Sequence, residues 1–185
     1  MSSKVGLGLR AAKTSEAEAL YKMRAQSFEA LYKSSTSPDV LNALMWGYSP
    51  SEFALAIDNN EIWVAEIQGD IAGFVWIDST HGKELVVSPD HYGSGVARTL
   101  LLRAIRILIE RNTGEIEIYA TPQTAKWYKR FAFKPVTSMT VRHPELGILI
   151  PLEKMILKRD DAVVLTARAL ERSPKPIERP LPKRL

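Results

Sequence analysis

The sequence predicts an α/β fold in which one mixed sheet is flanked by helices, and three observations carry that expectation. β-rich and helix-periodic runs alternate along the chain in the order β-α-β-β-β-α-β-α-β-β. A short glycine turn joins two neighbouring β-rich runs as a hairpin. The 185 residues are 45% apolar and 25% charged, which suits one domain with a real core.

Taken in order, Gly6–Ala12 reads as a first strand. Thr14 or Ser15 then N-caps a helix with Glu18 in its first turn and Leu20, Met23, Phe28 and Leu31 near helical spacing. Residues Ser35–Asn60 contain two Ser-Pro steps and one or two short helices. Ile62–Ile67 and Ile71–Ile77 form the hairpin, separated by the three-residue turn Gln68-Gly69-Asp70. A further strand, Lys83–Val87, stops at Ser88-Pro89, because proline cannot donate to a central ladder.

From Gly95 to Arg111 the period becomes helical, with Leu100, Leu101, Ala104 and Leu108 on one face and Arg98, Arg103 and Arg106 opposite. Gly114–Ala120 alternates as a strand, and Thr121-Pro122 reads as an N-cap followed by proline at the first helical position. Two more β-like runs, "PVTSMTV" and "EKMILKR", follow. Residues 1–159 are expected to form the domain. Residues 160–185 add a helix over Asp161–Arg172, with Ala162, Leu165, Ala169 and Leu170 inward, and a basic tail with prolines at 174, 176, 180 and 182.

Composition removes several chemistries. With no cysteine there is no disulfide, no cysteine-based zinc site and no thiol nucleophile. His81, His91 and His143 are widely separated, so no metal site is expected. No apolar run approaches the roughly 18 residues of a membrane span, and the N-terminus lacks the apolar stretch of a secretory signal. The expected location is cytoplasmic. The net charge is +4; from Asp160 onward six Lys/Arg against four Asp/Glu give +2, which leaves the body at +2. A body so near neutral argues against nucleic acid as a partner.

The stretch "LVVSPDHYGSGVARTLL" (85–101) carries the chemistry. Gly93 and Gly95 allow a tight turn, and the N–H groups of residues 93–98 would stand without intrahelical partners at the start of a helix. Such a helix start holds a diphosphate. A plain glycine turn that opens a core helix is the alternative. Common nucleotide motifs do not fit: Arg98 occupies the third glycine position of the dinucleotide fingerprint, and no Gly-Lys-Ser/Thr is present.

Val87-Ser88-Pro89 followed by Tyr92-Gly93-Ser94-Gly95-Val96-Ala97 resembles the pyrophosphate loop of the GNAT family of N-acetyltransferases, Gln/Arg-x-x-Gly-x-Gly/Ala. Tyr92 departs from it at the first position. The block Ala125–Phe133 is similar to a second family signature, with Ala132 where glycine is usual and Pro122 where asparagine is frequent. The resemblance runs from about Leu9 to Lys158. It implies the GNAT fold, a central mixed and mostly antiparallel sheet flanked by helices. It also implies acetyl-CoA as co-substrate and direct acetyl transfer to a primary amine of a small molecule.

Residue by residue, the resemblance puts the diphosphate on Tyr92, Gly93, Ser94, Gly95, Val96, Ala97 and Arg98, and the pantetheine along Leu85, Val86 and Val87. A backbone N–H near Val87 would hold the thioester carbonyl. Tyr128 would protonate the departing thiolate; by spacing alone it packs beside Trp127 and Phe131. For the base, Glu84 leads, with Glu117, His81 and His91 as further candidates, although an exposed carboxylate without duty describes either glutamate. The segments Ser34–Ser51 and Arg142–Leu149 would flank the acceptor. Trp46, Tyr48 and Trp76 would line its pocket or else serve as packing aromatics. A protein or aminoacyl-tRNA amine is the alternative acceptor, and a non-catalytic acyl-CoA-binding or partner-binding module is the alternative class. Members of the family are often dimers, so a homodimer is a further expectation.

Overall fold

A computed structural model describes residues 6–78, 81–111 and 113–171. The described chain runs β1 (Leu7–Ala11), a 3-10 turn (Thr14–Glu16), α1 (Ala17–Tyr32), α2 (Pro38–Met45), α3 (Pro50–Asp58), β2 (Ile62–Ile67) and β3 (Asp70–Ile77). It continues through β4 (Gly82–Val87), a 3-10 turn (Pro89–His91), α4 (Val96–Glu110), β5 (Glu115–Ala120), α5 (Pro122–Lys129), β6 (Lys134–Arg142), β7 (Leu149–Lys158) and α6 (Arg159–Glu171).

The strands are antiparallel but form two ladders, β1-β2-β3-β4 and β5-β7-β6, where the sequence suggested one. β4 and β5 come together at Gly82, where an added Cβ would lie 4.0 Å from Ile118 Cγ2, yet no ladder joins them. The break leaves an edge strand, β4 and β5, on each side of a seam.

Helices cover both faces of the first ladder. Ile62, Val64, Phe74, Trp76 and Val86 face α1 and α3, packing on Leu20, Phe53 and Ile57. Ala65, Val75, Ile77 and Val87 point the other way, onto Leu100, Leu101 and Ile105 of α4. Burial on both faces explains why β3 reads as a nearly unbroken apolar run. Gly73 sets how closely α4 approaches: a Cβ there would meet Val86 O at 2.6 Å and Val96 Cγ1 at 3.0 Å. α6 docks on α4 with Ala162 in the core, and Arg159 Nη1 donates to the carbonyls of Ile109 (3.1 Å) and Thr113 (3.2 Å) past the end of α4.

Local details correct the sequence reading twice. The hairpin turn has two residues, because Gln68 (φ 56°) and Gly69 (φ 94°) are both left-handed, the pairing that matches strand twist. Neither Thr14 nor Ser15 caps α1. Thr14 Oγ1 instead donates to Asp58 (2.7 Å), and the Glu16 carboxylate accepts the Lys13 N–H (2.8 Å) while pairing with Arg10. Both Ser-Pro steps do start helices: Ser37 and Ser49 accept the N–H of Val40 and Glu52. The proline-rich tail lies outside the described residues.

Candidate active site

The glycine loop sits where β4 meets α4. Gly93 (φ 79°) and Gly95 (φ 89°) are both left-handed, and a Cβ at either would meet nothing within 4 Å. Their open side faces solvent at the start of a fifteen-residue helix. Thr99 N–H makes the first helical bond, to Gly95 O (3.0 Å). Among the described residues no protein group accepts the N–H of Gly93, Gly95, Val96, Ala97 or Arg98. Ser94 falls out of the expected set: its N–H and its Oγ both turn back to His91 O, at 3.3 and 2.5 Å.

β4 supplies a second row of free groups. Ser88 N–H donates to Ala72 O (2.9 Å), so the bonded pairs run through Val86–Phe74 and Glu84–Trp76. The N–H and C=O groups of Leu85 and Val87 therefore point out of the edge, toward the seam. Val86 does not join them, because its backbone pairs with β3 and its side chain is buried against the α1 face.

A cleft of about 550 Å³ follows from this geometry. Its walls are the glycine loop, Leu85 and Val87, Ser27 and Leu31 of α1, and Thr124, Trp127 and Tyr128 of α5. It adjoins a second hollow of about 240 Å³, and the two share Ser27, Leu31, Leu85, Thr124 and Tyr128.

Tyr128 stands at that junction. Thr121 caps α5 by accepting the Thr124 N–H (3.3 Å), Pro122 takes the first turn, and Ala125 anchors the inner face. Tyr128 then projects between Trp127 and Phe133, with ring centroids at 5.0 and 5.6 Å. No protein group among the described residues bonds its hydroxyl. Burial, and secondarily Tyr32, push its pKa well above the usual phenol value, so the group stays protonated.

Glu84 is not the exposed carboxylate the sequence allowed. It is buried on the α1 face, and both its oxygens lie 2.8 Å from Arg24 Nε. Arg24 in turn donates to the carbonyls of Met45 (2.7 Å) and Leu44 (2.9 Å) at the end of α2. Burial raises the Glu84 pKa, with Arg24 and then Lys83 opposing. Glu117 differs: Lys154 (2.6 Å) and the Tyr119 hydroxyl hold its pKa below the ordinary carboxylate range, which makes it the weaker base. His91 lines the cleft beside the glycines. His81 lies in the turn before β4, 3.7 Å from Asp78.

The aromatic candidates separate. Trp46 is half exposed and meets His143 edge-on at 6.0 Å, so the segments Ser34–Ser51 and Arg142–Leu149 do converge. Tyr48 stacks on Trp76 (4.8 Å) with the Arg24 guanidinium 4.9 Å from its ring. Trp76 itself is a core residue, packed on Phe53 (5.2 Å) and donating Nε1–H to Glu61 (2.9 Å), and lines neither the cleft nor the hollow. Arg24 and Ser27 escaped the sequence reading. Their signal was two polar residues at Leu20+4 and Leu20+7, on the buried face of α1.

This fold is shared with N-acetyltransferases of known structure. The GCN5-related N-acetyltransferase from Rhodopseudomonas palustris matches with a TM-score of 0.76 at 19% identity, over 85% of this chain and 99% of that one. The PaiA N-acetyltransferase from Thermoplasma acidophilum, in complex with coenzyme A, matches at 0.63 and 18%, over 83% and 99%. YncA from Salmonella typhimurium, solved with its cofactor acetyl-CoA, matches at 0.64 and 16%, over 84% and 95%. In sequence, residues 58–135 match the family model of the acetyltransferase (GNAT) domain. An uncharacterized N-acetyltransferase of Archaeoglobus fulgidus is 26% identical over 152 residues, 75% of this chain and 95% of that protein. In sequence over residues 58–135, and in fold over most of its length, the chain is similar to the GNAT N-acetyltransferases.

Proposed function

We propose that the protein transfers an acetyl group from acetyl-CoA to a primary amine of a small molecule. One observation carries this reading: five unpartnered backbone N–H groups and the free edge of β4 border a single cleft that ends at Tyr128. The residues fit the donor. A dianionic diphosphate matches the amides of Gly93 and Gly95–Arg98 at a helix N-terminus. The amide-bearing pantetheine matches the edge groups of Leu85 and Val87, as an added strand would. The bound thioester supplies an activated acetyl group.

The chain's own groups then manage two protons and one developing charge. The Val87 N–H stabilises negative charge on the carbonyl oxygen. Glu84 accepts the proton of the amine as the N–C bond forms, and Arg24 fixes its position. Tyr128 gives its proton to sulfur as the C–S bond breaks, and solvent returns the proton from Glu84 to Tyr128. The acceptor enters between Trp46, just past α2, and the start of β4, and the polar side of the hollow, at Lys83 and Glu84, suits a small molecule better than a folded protein surface. An acceptor screen tests the reading by following free thiol released from acetyl-CoA across small amines, peptides and charged tRNA. Turnover with small amines is expected. Release with peptides or tRNA alone contradicts the acceptor class, and no release at all contradicts the catalytic reading.

A further inference from the structure

The hollow behind Tyr128 has two chemically different halves. Toward α1 its walls carry Lys83, Glu84, Tyr119 and Thr121. Toward α4 they are apolar throughout: Val75, Leu101, Ala104, Ile105, Ile118 and Phe133. Leu101, Ala104 and Ile105 of α4 floor this inner half, and the hollow adjoins the cleft at the residues the two share, Leu85 and Tyr128 among them. Of the α4 residues lining it, Ala104 is the small one in a row of Leu and Ile, and its size keeps the space open.

We propose that this inner half is an acyl pocket, and that the protein binds acyl-CoA donors with linear aliphatic chains more tightly than acetyl-CoA. The proposal rests on the donor reading above, which brings the thioester to the same junction. An amine acceptor does not suit the inner half, because a charged or hydrogen-bonding group would lose its water there and find no partner. An alkyl chain loses nothing and gains contacts. The hollow measures about 240 Å³ in all, and a dry apolar cavity of roughly 150 Å³ takes a benzene ring, so its inner half has room for an acyl chain of about four carbons.

Calorimetric titration of the full chain with CoA, acetyl-CoA, butyryl-CoA and hexanoyl-CoA tests this without knowledge of the acceptor. Each buried methylene should tighten binding about fourfold, so butyryl-CoA should bind about fifteenfold tighter than acetyl-CoA. Ala104→Leu fills the pocket and should remove that advantage. Ile118→Ala widens it and should move the optimum toward hexanoyl-CoA, which keeps the claim testable if Ala104→Leu fails to fold. Equal affinity for acetyl-CoA and butyryl-CoA overturns the proposal, and so does an advantage that survives in folded Ala104→Leu. Failure of CoA itself to bind overturns the donor reading as well, which separates the two.

Discussion

The Tyr92 hydroxyl lies 3.3 Å from the Ser27 carbonyl and 3.3 Å from the Ser27 hydroxyl, tying the glycine loop to α1 across the mouth of the cleft. Tyr92 is the residue that departs from the family's loop pattern, and this contact gives it a role. Gln or Arg at that position offers a polar head, whereas Tyr92 offers a rigid ring and one hydroxyl. Tyr92→Phe should keep the ring and release the tether. CoA affinity should fall a few-fold while stability changes by about 1 kcal/mol or less, as titration and thermal melts would report.

Tyr128→Phe removes one hydroxyl that no protein group among the described residues bonds, so the fold should be unaffected. Turnover with acetyl-CoA should fall about 100- to 1000-fold, with the dissociation constant for CoA unchanged. A loss of CoA binding instead of turnover would make Tyr128 a packing residue.

Glu84 can serve as the proposed base only when ionised, and burial raises its pKa above the ordinary carboxylate range. The rate should therefore rise with pH through a limb lying above about pH 4.5. An acceptor whose amine stays neutral across the range isolates that limb. Glu84→Gln should abolish it and lower kcat, at a stability cost of about 1–3 kcal/mol from the weakened partner of Arg24. A limb that persists in the variant would assign the proton to another group.

Ala132 holds a left-handed backbone, φ 64°, at the turn between α5 and β6, where the family signature has glycine. A Cβ is strained there, so Ala132→Gly should stabilise the protein by about 0.5–1 kcal/mol after the entropy cost of glycine. A thermal melt checks the sign.

Much of this was legible in the sequence because periodicity and turn chemistry are local. The helix beginning at Gly95, the Thr121-Pro122 cap and the two Ser-Pro starts all follow from neighbours within four residues. The glycine loop and the Tyr128 block were readable for the same reason. The parted sheet was not, since strands β4 and β5 look equally ready to pair and only tertiary packing keeps them apart. Arg24 reaches Glu84 across 60 positions, and no local pattern announces such a pair. Trp76 stayed open between pocket and packing in the sequence because β3 is buried on both faces, which erases the alternation that would have assigned its side.

The proposed donor site rests on Gly95, whose left-handed φ of 89° precedes the free amides of residues 96–98 at the start of α4. A β-branched residue is strained at that angle, and its relaxation would re-aim those amides. Calorimetric titration of CoA into wild type and Gly95→Val, with melts as a control for folding, tests the site. Affinity in the folded variant should fall more than about tenfold, the loss of several charge-assisted bonds. An affinity within about twofold of wild type would contradict the assignment of these amides to the diphosphate.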